Sequence, residues 1–130
     1  MGCEMVRELT NHRVNGLNEF LRVVAVDEPG AGGANHEYMI RLDTTEATAG
    51  TFAWCSIKFQ NGPILEVGVN GISNEALLAI VEDRLASFQE GPFACRENAL
   101  ALTKLQEAMM WLQWRTRGRI MRGVEGTANL

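Results

Sequence analysis

Histidine and cysteine are scarce in this chain of 130 residues, which has two of the first and three of the second. His12 and His36 lie in separate stretches, and Cys3, Cys55 and Cys95 are widely spaced. No C-x-x-C pair and no Cys/His grouping has metal-ligand spacing, so the sequence implies no metal and no cofactor. Odd, scattered cysteines read as reduced thiols of a cytosolic protein. There is no run of about 18 apolar residues to span a bilayer, and no secretory apolar region. Met1-Gly2-Cys3 matches an acylation start only in part, because Val6 stands where the myristoylation pattern needs Ser or Thr. The net charge of −4 argues against a protein that coats DNA or RNA, which needs extended positive surface.

Catalytic groupings are missing as well. A reaction needs a nucleophile, an acid/base group or a metal placed with partners. The carboxylates here are scattered, mostly along helix-like faces where solvated side chains are expected. The residues therefore read as those of a binder, not an enzyme.

What is present is ordinary globular material, 46% hydrophobic and 22% charged. The length fits a single domain, residues 1–130. Residues 1–16 are weakly patterned; Met5, Val6 and Leu9 have the spacing of one helical turn, while Asn11-His12 and Asn15-Gly16 read as turns. Leu21 to Val26 is β-branched enough for a strand, and Glu37 to Leu42 alternates like one. Between them lies Asp27-Glu-Pro-Gly-Ala-Gly-Gly-Ala-Asn-His36. Gly30-Ala-Gly32 supplies G-x-G, but the third glycine of a dinucleotide fingerprint would fall at Asn35, and a strand follows where a helix is needed. A hairpin connection with bare backbone amides fits better, either as a plain loop tip or as a place where a ligand or partner comes close.

Thr44 to Gly50 reads as a polar turn, Phe52 to Phe59 as a period-2 strand, and Ile64 to Val69, after the Asn61-Gly-Pro63 turn, as a return strand. Ser73 is a good N-cap, with Ile72 and Leu77 at the spacing of a hydrophobic staple. Leu78, Val81, Leu85 and Phe88 then form one apolar face, ended by Glu90-Gly91-Pro92. A second helix carries Leu102, Leu105, Met109 and Leu112 at the same spacing. The expected fold is α+β: a small antiparallel sheet over about 17–69, then a long helical hairpin over about 73–122. Neither layer covers its own apolar side, and Trp111 and Trp114 beside Met109 and Met110 give the hairpin more apolar face than one partner helix can bury. Homo-oligomerisation is therefore expected, with packing against the sheet as the alternative.

Two polar features stand out on the hairpin. Asn98 falls on the apolar stripe, where an unpartnered amide costs about 1–3 kcal/mol. A bond to the nearby turn would satisfy it; so would the polar edge of a ligand. At the other end Arg115, Arg117, Arg119 and Arg122 place four of the ten arginines within eight residues. Arg115, Arg119 and Arg122 step along one side of a continuing helix. Such a cluster is either a solvated end that complements the helix dipole or a site for a small phosphate-bearing anion. Gly118 weakens the helix among them by about 1 kcal/mol relative to alanine, which predicts a loose end until something binds.

Phe59-Gln-Asn-Gly-Pro-Ile64, Gly68-Val-Asn-Gly71, Phe88-Gln-Glu-Gly-Pro-Phe-Ala-Cys-Arg-Glu-Asn98, Ala101-Leu-Thr-Lys-Leu105, Met110-Trp-Leu112 and Arg122-Gly-Val-Glu-Gly-Thr127 resemble the phage Thoeris anti-defence sponge family. That family shares its helical hairpin with phage sponges that oppose CBASS immunity. The resemblance is dense from about residue 52 to 127 and looser before. It implies sequestration without cleavage of cyclic ADP-ribose-type signals made by TIR enzymes, in the host bacterial cytoplasm, with cyclic di- or trinucleotides as further ligands of higher oligomers. Carried onto this chain, it implies Phe88 as an aromatic contact, Asn98 as a polar contact, and Arg115 and Arg119 as phosphate holders. Asp27, Gly32 and Asn35 would close the pocket from the glycine loop, across a dimer interface or within a hexamer. Family members usually continue the last helix with charged residues, whereas Gly118, Ile120 and Met121 interrupt the arginines here, which puts the register of Arg119 in question. A hydrolase of the same signals, or a structural module whose tryptophans serve only assembly, are the alternatives. Asn98 and Arg115 are seventeen residues apart, about 25 Å along one helix. Antiparallel pairing of two subunits is the expected way to bring them to one ligand.

Overall fold

The computed structural model describes residues 7–42 and 54–130. The chain forms two compact units, one of Met1–Gly62 with Val69–Ile72, the other of Pro63–Gly68 with Ser73–Leu130. The fold is α+β, a small antiparallel sheet followed by long helices.

In the first unit, β1 (Arg7–Leu9), β2 (Leu21–Ala25), β3 (Glu37–Leu42) and β4 (Trp54–Lys58) form a meander whose spatial order is the chain order. A short helix α1 (Gly16–Phe20) joins β1 to β2. The register sets Ala25 opposite Tyr38 and Tyr38 opposite Ile57, and likewise Val23, Ile40 and Cys55. Directly opposed residues share a face, so these rows make the apolar side, and Val24, Met39 and Ser56 lie on the other. Tyr38 meets Phe59 edge to face at 5.8 Å between ring centroids. Ala25 is the only apolar side chain that is fully buried among the described residues.

Beyond β4 the chain is pinned to itself. Gln60 N donates to Ile72 O at 2.9 Å and Ile72 N to Lys58 O at 2.9 Å. Between those bonds Gly71 lies so close to the Phe59 backbone that a Cβ would sit 2.3 Å from its carbonyl carbon. Asn61 and Asn70 complete the clasp, with Asn61 N donating to Asn70 Oδ1 and Asn70 Nδ2 to Asn61 O, both at 2.8 Å.

Three local readings are corrected. Ile64–Val69 is no return strand: α2 (Ile64–Val67) is a helical turn after Pro63, ended by Gly68 at φ 77. Leu9 belongs to β1 rather than to a helical turn, Met5 and Val6 lying outside the described residues. Asn15-Gly16 opens α1, with Asn15 Oδ1 accepting from Asn18 N at 3.1 Å as its N-cap. The Thr44–Gly50 turn and the start of the Phe52–Phe59 strand fall outside the described residues.

The second unit is built on α3 (Asn74–Glu90) and α4 (Arg96–Met121). Ser73 caps α3, its Oγ accepting from Ala76 N at 3.2 Å. Gly91-Pro92 breaks the helix, and the turn closes through Gln89 Oε1, which accepts from Cys95 N at 3.1 Å. Cys95 then caps α4 through Sγ, which accepts from Asn98 N at 3.4 Å. Apart from Gly118, the less exposed positions along α4 run Asn98, Leu102, Leu105, Met109, Leu112, Thr116 and Arg119. Their steps alternate four and three, the seam two packed helices make. Helix α4 continues through Gly118 to Met121 without interruption.

Candidate functional site

The residues singled out from the sequence fall in both units. In the first, the loop between β2 and β3 holds Asp27, Gly32 and Asn35. Asp27 lies two residues beyond β2 with its carboxylate turned back over the loop, where Oδ2 accepts from His36 N at 3.0 Å. Asn35 Nδ2 donates to Asp27 O at 2.5 Å, and Asn35 Oδ1 accepts from Arg7 Nη2 at 2.6 Å. Partial burial alone would pull the Asp27 carboxyl up, but the backbone N–H groups of His36 and Glu37 and the Asn35 amide hold it below the ordinary aspartate range. The loop tip is a 3-10 turn at Ala31–Gly33, and Gly32 and Gly33 take φ values of 74 and 83 that a side chain would resist. Asn61 Oδ1 holds this tip by accepting from Ala31 N at 3.1 Å, and His36 Nε2 pairs with Ala31 O at 2.9 Å. Asp27 and Asn35 are thus brought together, and much of their bonding capacity keeps the glycine turn in shape.

In the second unit Phe88 and Asn98 flank the hairpin turn. Phe88 lies in the last turn of α3 and is 37% exposed, and the Arg84 guanidinium carbon lies 5.3 Å from its ring centroid. That is a cation–π pair at the i, i+4 spacing of one helix face. Asn98 is half-buried on the seam in the first turn of α4. Among the described residues its side-chain amide has no hydrogen-bond partner, while its backbone N–H donates to Cys95 Sγ.

At the far end the arginines part company. Arg115 is exposed and, among the described residues, its side chain makes no hydrogen bond or ion pair. Arg119 is 7% exposed. Its Nε donates to Glu125 Oε1 at 3.0 Å, Nη1 to Asn129 O at 2.8 Å, and Nη2 to Val124 O and Thr127 O, each at 2.9 Å. The separation follows from helix geometry. Arg119 is the last position of the four-and-three seam, whereas Arg115 lies off it. That spacing was visible in the sequence and marks Arg119 as inward-facing. Arg122 donates from Nη1 to Leu130 O at 2.8 Å.

Met110, Trp111 and Trp114 line an apolar recess of about 360 Å³ on the outer side of α4. Trp111 is 58% and Trp114 67% exposed, so the hairpin does not bury them itself. Among the described residues no three His, Cys, Asp or Glu side chains gather where a metal ion could be held. No helix of the described residues is long and apolar enough to cross a membrane. The hairpin carries an exposed aromatic face, an amide with unused donors and acceptors, and an uncommitted guanidinium.

Comparison with known proteins centres on the same hairpin. Residues 55–116 match the family described as Acb2/Tad1, hairpin domain. A protein named Thoeris anti-defense 1, from Bacillus phage SBSphiJ7, is 54% identical over 84 residues, which is 65% of this chain and 58% of the relative's length. Phe88, Asn98 and Arg115 lie inside the matched segment; Arg119 lies just beyond it.

Proposed function

We propose that this chain, which matches the Acb2/Tad1 hairpin over residues 55–116 and is similar to Thoeris anti-defense 1, counters bacterial immunity by binding and sequestering a cyclic nucleotide signal without degrading it. The ligand class is a cyclic ADP-ribose isomer of the kind TIR enzymes make, with CBASS cyclic di- or trinucleotides as further candidates. The place of action is the host cytoplasm. The observation that carries this reading is that Phe88, Asn98 and Arg115 all lie in the hairpin that matches the family, with polar groups left over for a ligand.

Phe88 offers its ring to an adenine or another apolar edge. Asn98 reads a polar edge, and Arg115 forks onto phosphate oxygens. Asp27, Gly32 and Asn35 add a shaped loop of further ligand-binding residues. Asn98 and Arg115 are about 25 Å apart along α4, so one copy does not present both to a small molecule. A homo-oligomer with antiparallel hairpins, dimeric or higher, brings one copy's turn to the other's arginine end. The exposed Met110, Trp111 and Trp114 surface suits such an interface. Function then follows from stoichiometry: each occupied site removes one signal molecule from solution, and no bond is made or broken.

Isothermal titration with glycocyclic ADP-ribose and with cyclic trinucleotides tests the binding, followed by heat denaturation and mass spectrometry of the released ligand. Sequestration returns the ligand with its mass unchanged. A changed mass identifies a hydrolase, and no binding at micromolar concentration defeats the proposal. A purely structural hairpin would be indifferent to Arg115→Ala yet would lose assembly on Trp111→Ala.

A further inference from the structure

We propose that Arg119 is a positioning residue that latches residues 122–130 over the end of α4, and not a group that grips a ligand phosphate itself. The inference rests on the binding reading for its effect on ligand, and on geometry alone for the latch.

A guanidinium has five N–H donors. Four of those on Arg119 are spent inside the chain, three on the main-chain carbonyls of Val124, Thr127 and Asn129 and one on the Glu125 carboxylate. The group is 7% exposed and its charge is already countered. A phosphate forked onto its committed N–H groups would have to displace Glu125 or the carbonyls, giving up charge-assisted bonds that are already made.

The segment it holds is shaped to be held. Arg122 N donates to Gly118 O and Gly123 N to Ile120 O, closing the helix, and Gly123 turns the chain at φ 72. Thr127 Oγ1 donates to Val124 O at 2.5 Å and accepts from Asn129 N at 3.2 Å. Gly126 takes φ 82, and its carbonyl accepts from Leu65 N of α2 at 3.0 Å. A Cβ on Gly126 would stand 2.9 Å from Leu65 Cγ and 3.2 Å from Ile64 Cγ1, so a side chain there adds crowding to a backbone conformation that already favours glycine.

The consequence for ligand runs through the helix. Arg115 lies one turn before Arg119, and the helix beyond it contains Gly118, which weakens helical backbone. The latch clamps that stretch from its far side and so keeps Arg115 on a rigid helix.

Two variants test this. Arg119→Lys keeps the charge but cannot make four directed bonds. Gly126→Ala opens the same segment while leaving every arginine in place, and so guards against a folding defect at Arg119. Amide hydrogen exchange is measured over 119–130 without ligand, and glycocyclic ADP-ribose affinity by titration. Both variants are expected to speed exchange in 122–130 by about tenfold or more, as loss of a charge-assisted bond implies, and to weaken binding by similar factors. The proposal is overturned if Arg119→Lys weakens binding while exchange in 122–130 stays slow, or if Gly126→Ala opens the segment and binds like the parent. Absence of binding by the parent chain counts against the binding reading only, and the exchange data then decide the latch by themselves.

Discussion

Replacing Gly71 by alanine places one methyl group where the structure has no room for it. The Cβ would lie 2.3 Å from the Phe59 carbonyl carbon, 2.5 Å from Gln60 N and 2.5 Å from Phe59 O. All three are backbone atoms, so no side chain can swing aside; the two chain segments must separate by about 1 Å to reach ordinary contact. That movement stretches the bonds from Gln60 N to Ile72 O and from Ile72 N to Lys58 O, both now 2.9 Å. Overpacking of this kind costs about 1–3 kcal/mol. Two weakened backbone bonds add about 1 kcal/mol each at most. A total of about 3 kcal/mol corresponds, for a unit of 60–100 residues, to a midpoint lowered by about 12–24 °C. Differential scanning calorimetry reads the midpoint, and hydrogen exchange at residues 58–60 and 70–72 reads the local opening. A Gly71→Ala protein that melts within about 2 °C of the parent would refute the close-approach argument.

Gly118→Ala has the opposite sign: its Cβ meets nothing within 4 Å, and alanine should stabilise α4 by about 0.5–1 kcal/mol, seen as a higher midpoint. Arg115→Ala should leave the melting midpoint within the scatter of a surface change, about ±0.5 kcal/mol. It should nevertheless weaken binding of glycocyclic ADP-ribose by roughly 10- to 150-fold in calorimetry, the worth of a charge-assisted contact of about 1.5–3 kcal/mol. Asp27 gives a pH dependence. Its folded pKa is lowered, so the stability it lends the glycine loop is complete above the ordinary value of about 3.9 and is lost as pH falls through the folded value. Protection of residues 27–36, exchange taken relative to the intrinsic rate at each pH, should therefore fall in acid in the parent, and the Asp27→Asn protein should lack that acid step.

Long, repetitive elements were legible in the sequence, and short ones were not. The α3 and α4 patterns, the Ser73 cap and the Gly91-Pro92 break are all as the periodicity predicts, because a 3.6-residue period sustained over several turns has few rivals. Ile64–Val67 was misread because four residues fit one helical turn as well as a short strand; Pro63 at the N-cap was the available cue. Cys95 as a cap could not be anticipated, sulfur being a weak acceptor. Among the site residues, spacing alone put Arg115, Arg119 and Arg122 along one side of the helix and made those three look alike. What separates Arg115 from Arg119 is the fold-back of residues 122–130, a tertiary event with no periodic signal of its own, although the seam position of Arg119 was there to be counted.

The meander order bears on how quickly the molecule can form. Strands β1 to β4 lie beside each other in the order in which they occur, and α3 meets α4 across a turn of five residues, Gly91–Cys95. Each contact layer therefore closes a short loop before it gains anything, and the entropy of closure grows only slowly with length. Chains whose pairings are local cross their folding barrier in microseconds to milliseconds. Stopped-flow refolding of each unit should show a fast phase of that order, with the hairpin assembling independently of the strands.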